Sequence, residues 1–381
     1  MTRYQDTITF PEMSLGTRRE LKVRRYGQRG ARPKAYLQTG LHADEIPGML
    51  VLHHLIGLLN DADDAGLIHG EIVLVPVANP IGLSQYIYGT LLGRFEVGSG
   101  NNFNRNYADL SDVVAERVAD KLGDDADANI AVIRAELTRA ANALEFTNDI
   151  EFLRISLLRL AIDTDLCLDL HCDWEAVLHV YLGTPCWPDG ADLSAQLGSR
   201  ATLLATKSGG HPFDEAIAGP WWALAERFPD RPIPPACLAA TVELRGGADV
   251  GDEMAAADAD NLFKVLIRRG YIDGDPGPLP APLCDATPLN GVETIKAECA
   301  GVVAYCRHPG DVVQVGDTVA VVVDPLESDP ARGARRNIVA QVGGVLYARR
   351  GDRMARPGQT LCRVAGATPL ADRIGRHLLS D

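Results

Sequence analysis

AYLQTGLHADEIPGMLVLHHLIGLL, residues 35–59, sets the fold class. Ala35 to Thr39 alternates like a β-strand, Gly40 breaks the run, and from Gly48 to Leu59 apolar residues cover most of one helical face. EIVLVPVA at 71–78 is an unbroken apolar run, as a strand buried on both faces requires, and Asn79-Pro80 stops it. Strand, helix and strand in this order predict an α/β domain with a mixed, mostly parallel sheet. Leu21–Tyr26 reads as a preceding strand. Cys167–Leu170, Val177–Leu182 and Cys237–Leu244 read as later ones, and Met254–Arg269 as a helix with a basic end that suits its dipole. Residues 109–160 are helical in character and broken by GDDADAN at 123–129. They are read as a helical insertion that either caps the site or makes a subunit contact.

DGDPGPLPAP, residues 273–282, is a stiff Pro/Gly stretch and the clearest boundary in the chain. It divides the sequence into an α/β unit at 1–272, a linker at 273–288 and a β unit at 289–381. The last unit carries an imperfect repeat, GVVAYCRHPGDVVQVGDTVAVVV at 301–323 and GVLYARRGDRMARPGQTLCRV at 344–364. Each half reads as strand, Gly-Asp turn, short strand, glycine turn and strand. Two such halves predict a small all-β barrel or sandwich resembling biotinyl and lipoyl carrier domains.

The 381 residues suit more than one domain, and 46% hydrophobic with 23% charged residues is a globular balance. A formal net charge of -14 excludes wrapping of a nucleic-acid backbone. No stretch approaches the length of a membrane span, and MTRYQDTITF carries no basic segment followed by an apolar run. The eight cysteines are scattered without a CxxC, as expected of reduced thiols in the cytoplasm. Assembly into a homo-oligomer is left open.

His42 and Glu45 follow the strand at 35–39, and His171 follows the strand at 167–170. All three stand where open α/β sheets place their sites. Two histidines and a carboxylate form a catalytic zinc set that leaves a fourth position for water, although cobalt, manganese or iron also suit it. Asp169, two residues before His171, suits the partner of the ring's other nitrogen. Glu243 ends the strand in CLAATVELRGG and is placed to act as a general base. Arg94, Asn104 and Arg105 offer a guanidinium for a developing oxyanion and a polar pair for a substrate carboxylate. Tyr305 and Tyr347 are the aromatics of the β unit that could reach the site, against a packed role for each. His179 is a reserve ligand.

The order His-x-x-Glu, Asn-Arg, strand-end His and strand-end Glu resembles the zinc carboxypeptidase superfamily. It is most similar to the succinylglutamate desuccinylase/aspartoacylase family, over roughly residues 30–270. That resemblance implies a zinc-carboxypeptidase-like α/β domain followed by a β domain, and one Zn2+ per chain on His42, Glu45 and His171. It further implies Glu243 as base, Arg94 as the carbonyl-polarising arginine, and Asn104-Arg105 on the substrate carboxylate. The expected activity is cleavage of the amide bond of an N-acyl amino acid. NFNRNY at 102–107 departs from the family's usual Asp-Leu-Asn-Arg context. A metallocarboxypeptidase or dipeptidase is the alternative within the same chemistry. A non-enzymatic carrier module is the alternative of another class. It would need a lysine at a hairpin tip, whereas the last lysine, Lys296, precedes the repeat.

Overall fold

Successive side chains of a strand point to opposite faces, and in the central strands both faces are apolar. The computed structural model, which describes residues 2–329 and 332–379, accordingly buries those strands between two layers of helices. Met1 and residues 380–381, the ends of the two expected units, lie outside the described residues. The sheet has nine strands in the order Tyr4–Thr9, Glu20–Tyr26, Glu71–Val75, Lys34–Thr39, Leu166–Asp173, Leu238–Gly246, His179–Gly183, Thr202–Ala205 and Ala286–Pro288. The central strands from Glu71–Val75 to Leu238–Gly246 pair in parallel. Antiparallel pairings add Glu20–Tyr26 on one side and His179–Gly183 on the other. The sheet is therefore mixed and mostly parallel.

The helices are α1 (Pro47–Asp64), α2 (Ser111–Val118), α3 (Ala126–Asn142), α4 (Asp149–Ala161), α5 (Ala191–Leu197), α6 (Phe213–Arg227) and α7 (Asp252–Arg268). Ala35, Leu37, Leu168, Ala240 and Val242 face Leu52 and Leu55 of α1 and Leu262 and Leu266 of α7. The intervening residues Tyr36, Val73, Cys167 and Ala239 face Val118, Leu137, Leu157 and Trp221, which come from α2, α3, α4 and α6. The helical segment at 109–160 thus covers one face of the sheet. GDDADAN is where one of its helices begins: the Asp125 side chain accepts from the amides of Asp127 and Ala128 and caps α3. No helix among the described residues is long and apolar enough to cross a membrane.

Beyond residue 288 the strands are antiparallel and form two sheets. One runs Val292–Lys296, Thr360–Gly366, Gly344–Arg349 and Val312–Val313; the other runs Arg335–Val339, Thr318–Val323, Gly301–Tyr305 and Met354–Ala355. The repeat is visible in this order. Each half gives a long, a short and a long strand, and each half's short strand pairs with the other half's first strand. Both halves open on glycine because a Cβ there would collide with a carbonyl oxygen, that of Val323 for Gly301 and that of Ala365 for Gly344. The two-residue strand Glu175–Ala176, just past His171, pairs with Gly344–Arg349 and docks this unit beside the sheet edge.

Candidate metal centre and active-site cavity

Strand register builds the centre. Asp169 pairs with Gln38 across one strand boundary, and Glu243 pairs with His171 across the next. Alternation puts Asp169 and His171 on the same face, toward α6. The Tyr36 hydroxyl donates to Gln38 Oε1 at 2.7 Å, and Gln38 Nε2 donates to Asp169 Oδ1 at 3.0 Å. Asp169 Oδ2 lies 2.8 Å from His171 Nε2. A carboxylate only accepts, so Nε2 carries the proton and Nδ1 turns to Glu45 Oε2 at 2.7 Å.

His42 is fixed in the same way from the other side. Its Nε2 lies 2.9 Å from Asn102 Oδ1, which also accepts the Asn104 N–H at 2.9 Å. Nε2 is therefore the donor, and Nδ1 faces Glu45 Oε1 at 2.9 Å. Glu45 also takes the Cys172 N–H at 3.1 Å and stands just before the N-terminus of α1, where a negative charge is favoured. Arg94 reaches both Glu45 Oε1 at 3.1 Å and His42 Nδ1 at 3.2 Å. Gly93 makes this possible, because a Cβ there would collide with the Asp44 amide.

The donor atoms of His42, Glu45 and His171 lie within 4.8 Å of one another. Burial, reinforced by Arg94, pushes His42 down to about 4 and keeps it neutral. Burial opposes charge on His171, yet Asp169 and Glu45 outweigh it and hold the imidazole well above its ordinary value. Burial likewise opposes charge on Glu45, but the facing histidines outweigh it, and with His42 neutral it is the His171 charge that holds the carboxyl well below the usual range. Glu243 Oε2 is buried and has no hydrogen-bond partner, and burial with the Glu45 charge pushes the carboxyl up to about 8.

These side chains line a cavity of about 690 Å³ that also takes in Arg94, Asn104 and Arg105. Asn104 Nδ2 is 3.4 Å from His171 Nε2, its Oδ1 accepts the Phe213 N–H at 2.8 Å, and Arg105 Nη1 donates to the Asn104 carbonyl at 2.7 Å. His42, Glu45, His171, Glu243, Arg94, Asn104 and Arg105 therefore meet at one place. No residue of the helices α2, α3 and α4 lines the cavity.

Other expectations resolve differently. Tyr347 is fully buried against the His179 ring at 4.9 Å, and the Tyr305 hydroxyl donates to the Leu361 carbonyl at 2.8 Å. Both are packed aromatics outside the cavity wall. His179 turns Nδ1 to the Val177 carbonyl at 2.8 Å and stands apart from the three donors. The β unit instead contributes Lys296, Arg350, Gln359, Thr360 and Arg363 to the cavity. Asn102, Trp174 and Asp214 were not singled out in the sequence; each depends on loop or helix placement that no local pattern encodes.

Residues 31–133 match the family model described as the succinylglutamate desuccinylase/aspartoacylase catalytic domain, which bears out the family resemblance; His42, Glu45, Asn104 and Arg105 lie within the matched residues, His171 and Glu243 beyond them. No curated protein matches the chain. Solved structures share its fold from end to end. A protein assigned as a succinylglutamate desuccinylase/aspartoacylase from Shewanella frigidimarina NCIMB 400 is 24% identical with a TM-score of 0.85, covering 96% of this chain and 98% of its own. One assigned to the same family from Shewanella amazonensis SB2B is 26% identical with a TM-score of 0.83, covering 95% and 98%. The ectoine utilization protein EutE of Ruegeria pomeroyi, in its product-bound structure, is 17% identical with a TM-score of 0.67, covering 96% and 95%.

Proposed function

We propose that this chain is a zinc-dependent hydrolase that cleaves the amide bond of an N-acyl amino acid. The observation that carries this reading is the convergence of His42 Nδ1, His171 Nδ1 and the Glu45 carboxylate, each with its other polar atoms already engaged. This donor set fits a divalent cation, and Arg94 already directs a positive charge at two of the same atoms. A zinc ion bound there would lower the pKa of a water to roughly 7 and polarise the scissile carbonyl.

The protein's own groups do the rest. Asn104 and Arg105 hold the substrate carboxylate, and Asp169 orients His171. The Glu243 carboxyl, raised to about 8 by burial and Glu45, would be brought back to its ionised form by a divalent charge bound beside it, and its unpartnered Oε2 then takes the proton from the attacking water. As the C–N bond breaks and its electron pair goes to nitrogen, Glu243 delivers that proton to the leaving amine. The Arg94 guanidinium donates to the carbonyl oxygen as charge develops there. A cavity walled on one side by the β unit suits a small substrate better than a long peptide.

We further propose the division into units at 1–272, 273–288 and 289–381, with the last a carrier-like fold that serves as a wall. Its Lys296 ends a strand and lines the cavity. The eight free thiols support a reducing, cytoplasmic setting.

The test is metal content of the purified protein, with hydrolysis of an N-acyl amino acid panel before and after chelation. Near one zinc per chain with chelator-sensitive deacylation is the expected result. No bound zinc and no rescue by added zinc would overturn it.

A further inference from the structure

The scheme above leaves unused a carboxylate in the cavity wall. Asp214 stands in the first turn of α6 and lines the cavity, and its strongest charged neighbours are the carboxylates of Glu215 and Asp169. Burial together with those charges pushes it up to about 7. Glu215 is spoken for: its Oε1 accepts the Ser208 N–H at 2.5 Å.

The cavity also has an aromatic lining. Tyr181 and Trp222 both line it, and the indole lies so close to the sheet that a Cβ on Gly183 would come within 2.8 Å of it. A cavity that shares a carboxylate and aromatic faces is an environment for a cation. The location of the carboxylate says which part of a substrate it meets. Phe213, the residue before Asp214, donates its N–H to Asn104, and Gly210 packs against the Arg105 side chain. An amino acid whose carboxylate rests on Asn104 and Arg105 therefore has Asp214 beside it.

We infer that this end of the cavity selects an amino acid with a cationic side chain, and that Asp214 is the residue that reads it. The inference rests on the deacylase reading for the substrate's orientation. An acidic side chain would add a further negative charge beside Asp214 and Glu215, a neutral one would give Asp214 no charge to pair with and leave it to be neutralised by a proton, and only a cationic one stabilises its ionised form.

The experiment compares kcat/KM for Nα-acetyl-ornithine, Nα-acetyl-lysine, Nα-acetyl-glutamine and Nα-acetyl-glutamate, on the wild type and on D214N. The wild type should favour the basic substrates by about tenfold or more, the scale of one charge-assisted hydrogen bond, and D214N should erase most of that ratio. A wild-type preference for neutral or acidic substrates would overturn the inference, as would an unchanged ratio in D214N. Should D214N fail to fold, the wild-type series decides alone. Should no acylated amino acid be hydrolysed, the deacylase reading fails, and calorimetric binding of free ornithine and glutamine then decides the matter. Tighter ornithine binding that D214N weakens by about tenfold supports the inference; equal or absent binding overturns it.

Discussion

Arg363 of the β unit donates to Asp173, two residues past His171, at 2.8 Å. The segment from Asp173 to Ala176 is held from that side at every step. Arg350 and Arg363 each lie 5.0 Å over the Trp174 ring, Arg349 and Arg353 each reach Glu175 at 2.6 Å, and Ala176 pairs with Ala348. The strand that carries His171 is thus continued into the second unit, and the cavity is a joint product of both.

Arg363→Leu should consequently impair both stability and catalysis. The pair is mostly buried, with side-chain exposures of 21% and 10%, so losing one partner strands a carboxylate beside the centre. A loss of about 3 kcal/mol is expected, the low end for a buried pair that loses one member. Denaturant melts would show it, and a variant as stable as the wild type would mean the ion pair does not hold the two units.

Glu243→Gln should keep its metal and lose turnover by at least about a hundredfold, the scale of general-base catalysis. The amide preserves shape, and none of the three proposed ligand atoms is altered. Elemental analysis and deacylation rates on the same preparation separate the two effects. Zinc lost together with activity would mean that the carboxylate serves the metal rather than the proton.

The proposed ligands were legible in the sequence because each stands at or just past the C-terminal end of an apolar run, and strands of a parallel sheet end at the same edge. His42, Glu45 and His171 needed only that rule. Asn102 was not legible: it lies 60 residues from His42 and meets it only because Gly93 lets two loops touch. Helix α6 was not legible: Gly219 and Pro220 are residues that ordinarily interrupt a helix, yet this one runs through them. Asp214, at its start, was hidden with it. Thr202–Ala205 and Ala286–Pro288 are too short to show a period, yet they complete the sheet by pairing with existing edges. The arginines that clamp Trp174 and Glu175 are ordinary charges until the β unit docks.

Asp169→Ala should weaken zinc binding about ten- to a hundredfold while leaving all three donors in place. The reason is orientational. Without Asp169, the proton on His171 Nε2 has only Asn104 Nδ2, itself a donor, at 3.4 Å, and nothing holds Nδ1 toward Glu45. Competition with a chromophoric chelator measures the shift. His171→Ala supplies the upper limit, and unchanged zinc occupancy in that variant would exclude His171 as a ligand.

Acid should loosen the clamp at Glu175 before it unfolds the sheet. Burial raises the pKa of this carboxyl, but Arg349 and Arg353 outweigh it and hold the group below its ordinary value of 4.5. A depressed folded-state pKa means that the contribution to stability is present above the unfolded value and is lost as pH falls through the folded one. Glu175→Gln should therefore be less stable than the wild type at pH 7, and the gap should close as pH drops below about 4.5, the range in which an unperturbed glutamate takes up its proton. Paired thermal melts across that range would show the convergence. A gap that stays constant down to the acid end would mean that the carboxylate's charge contributes nothing to holding the β unit against the site.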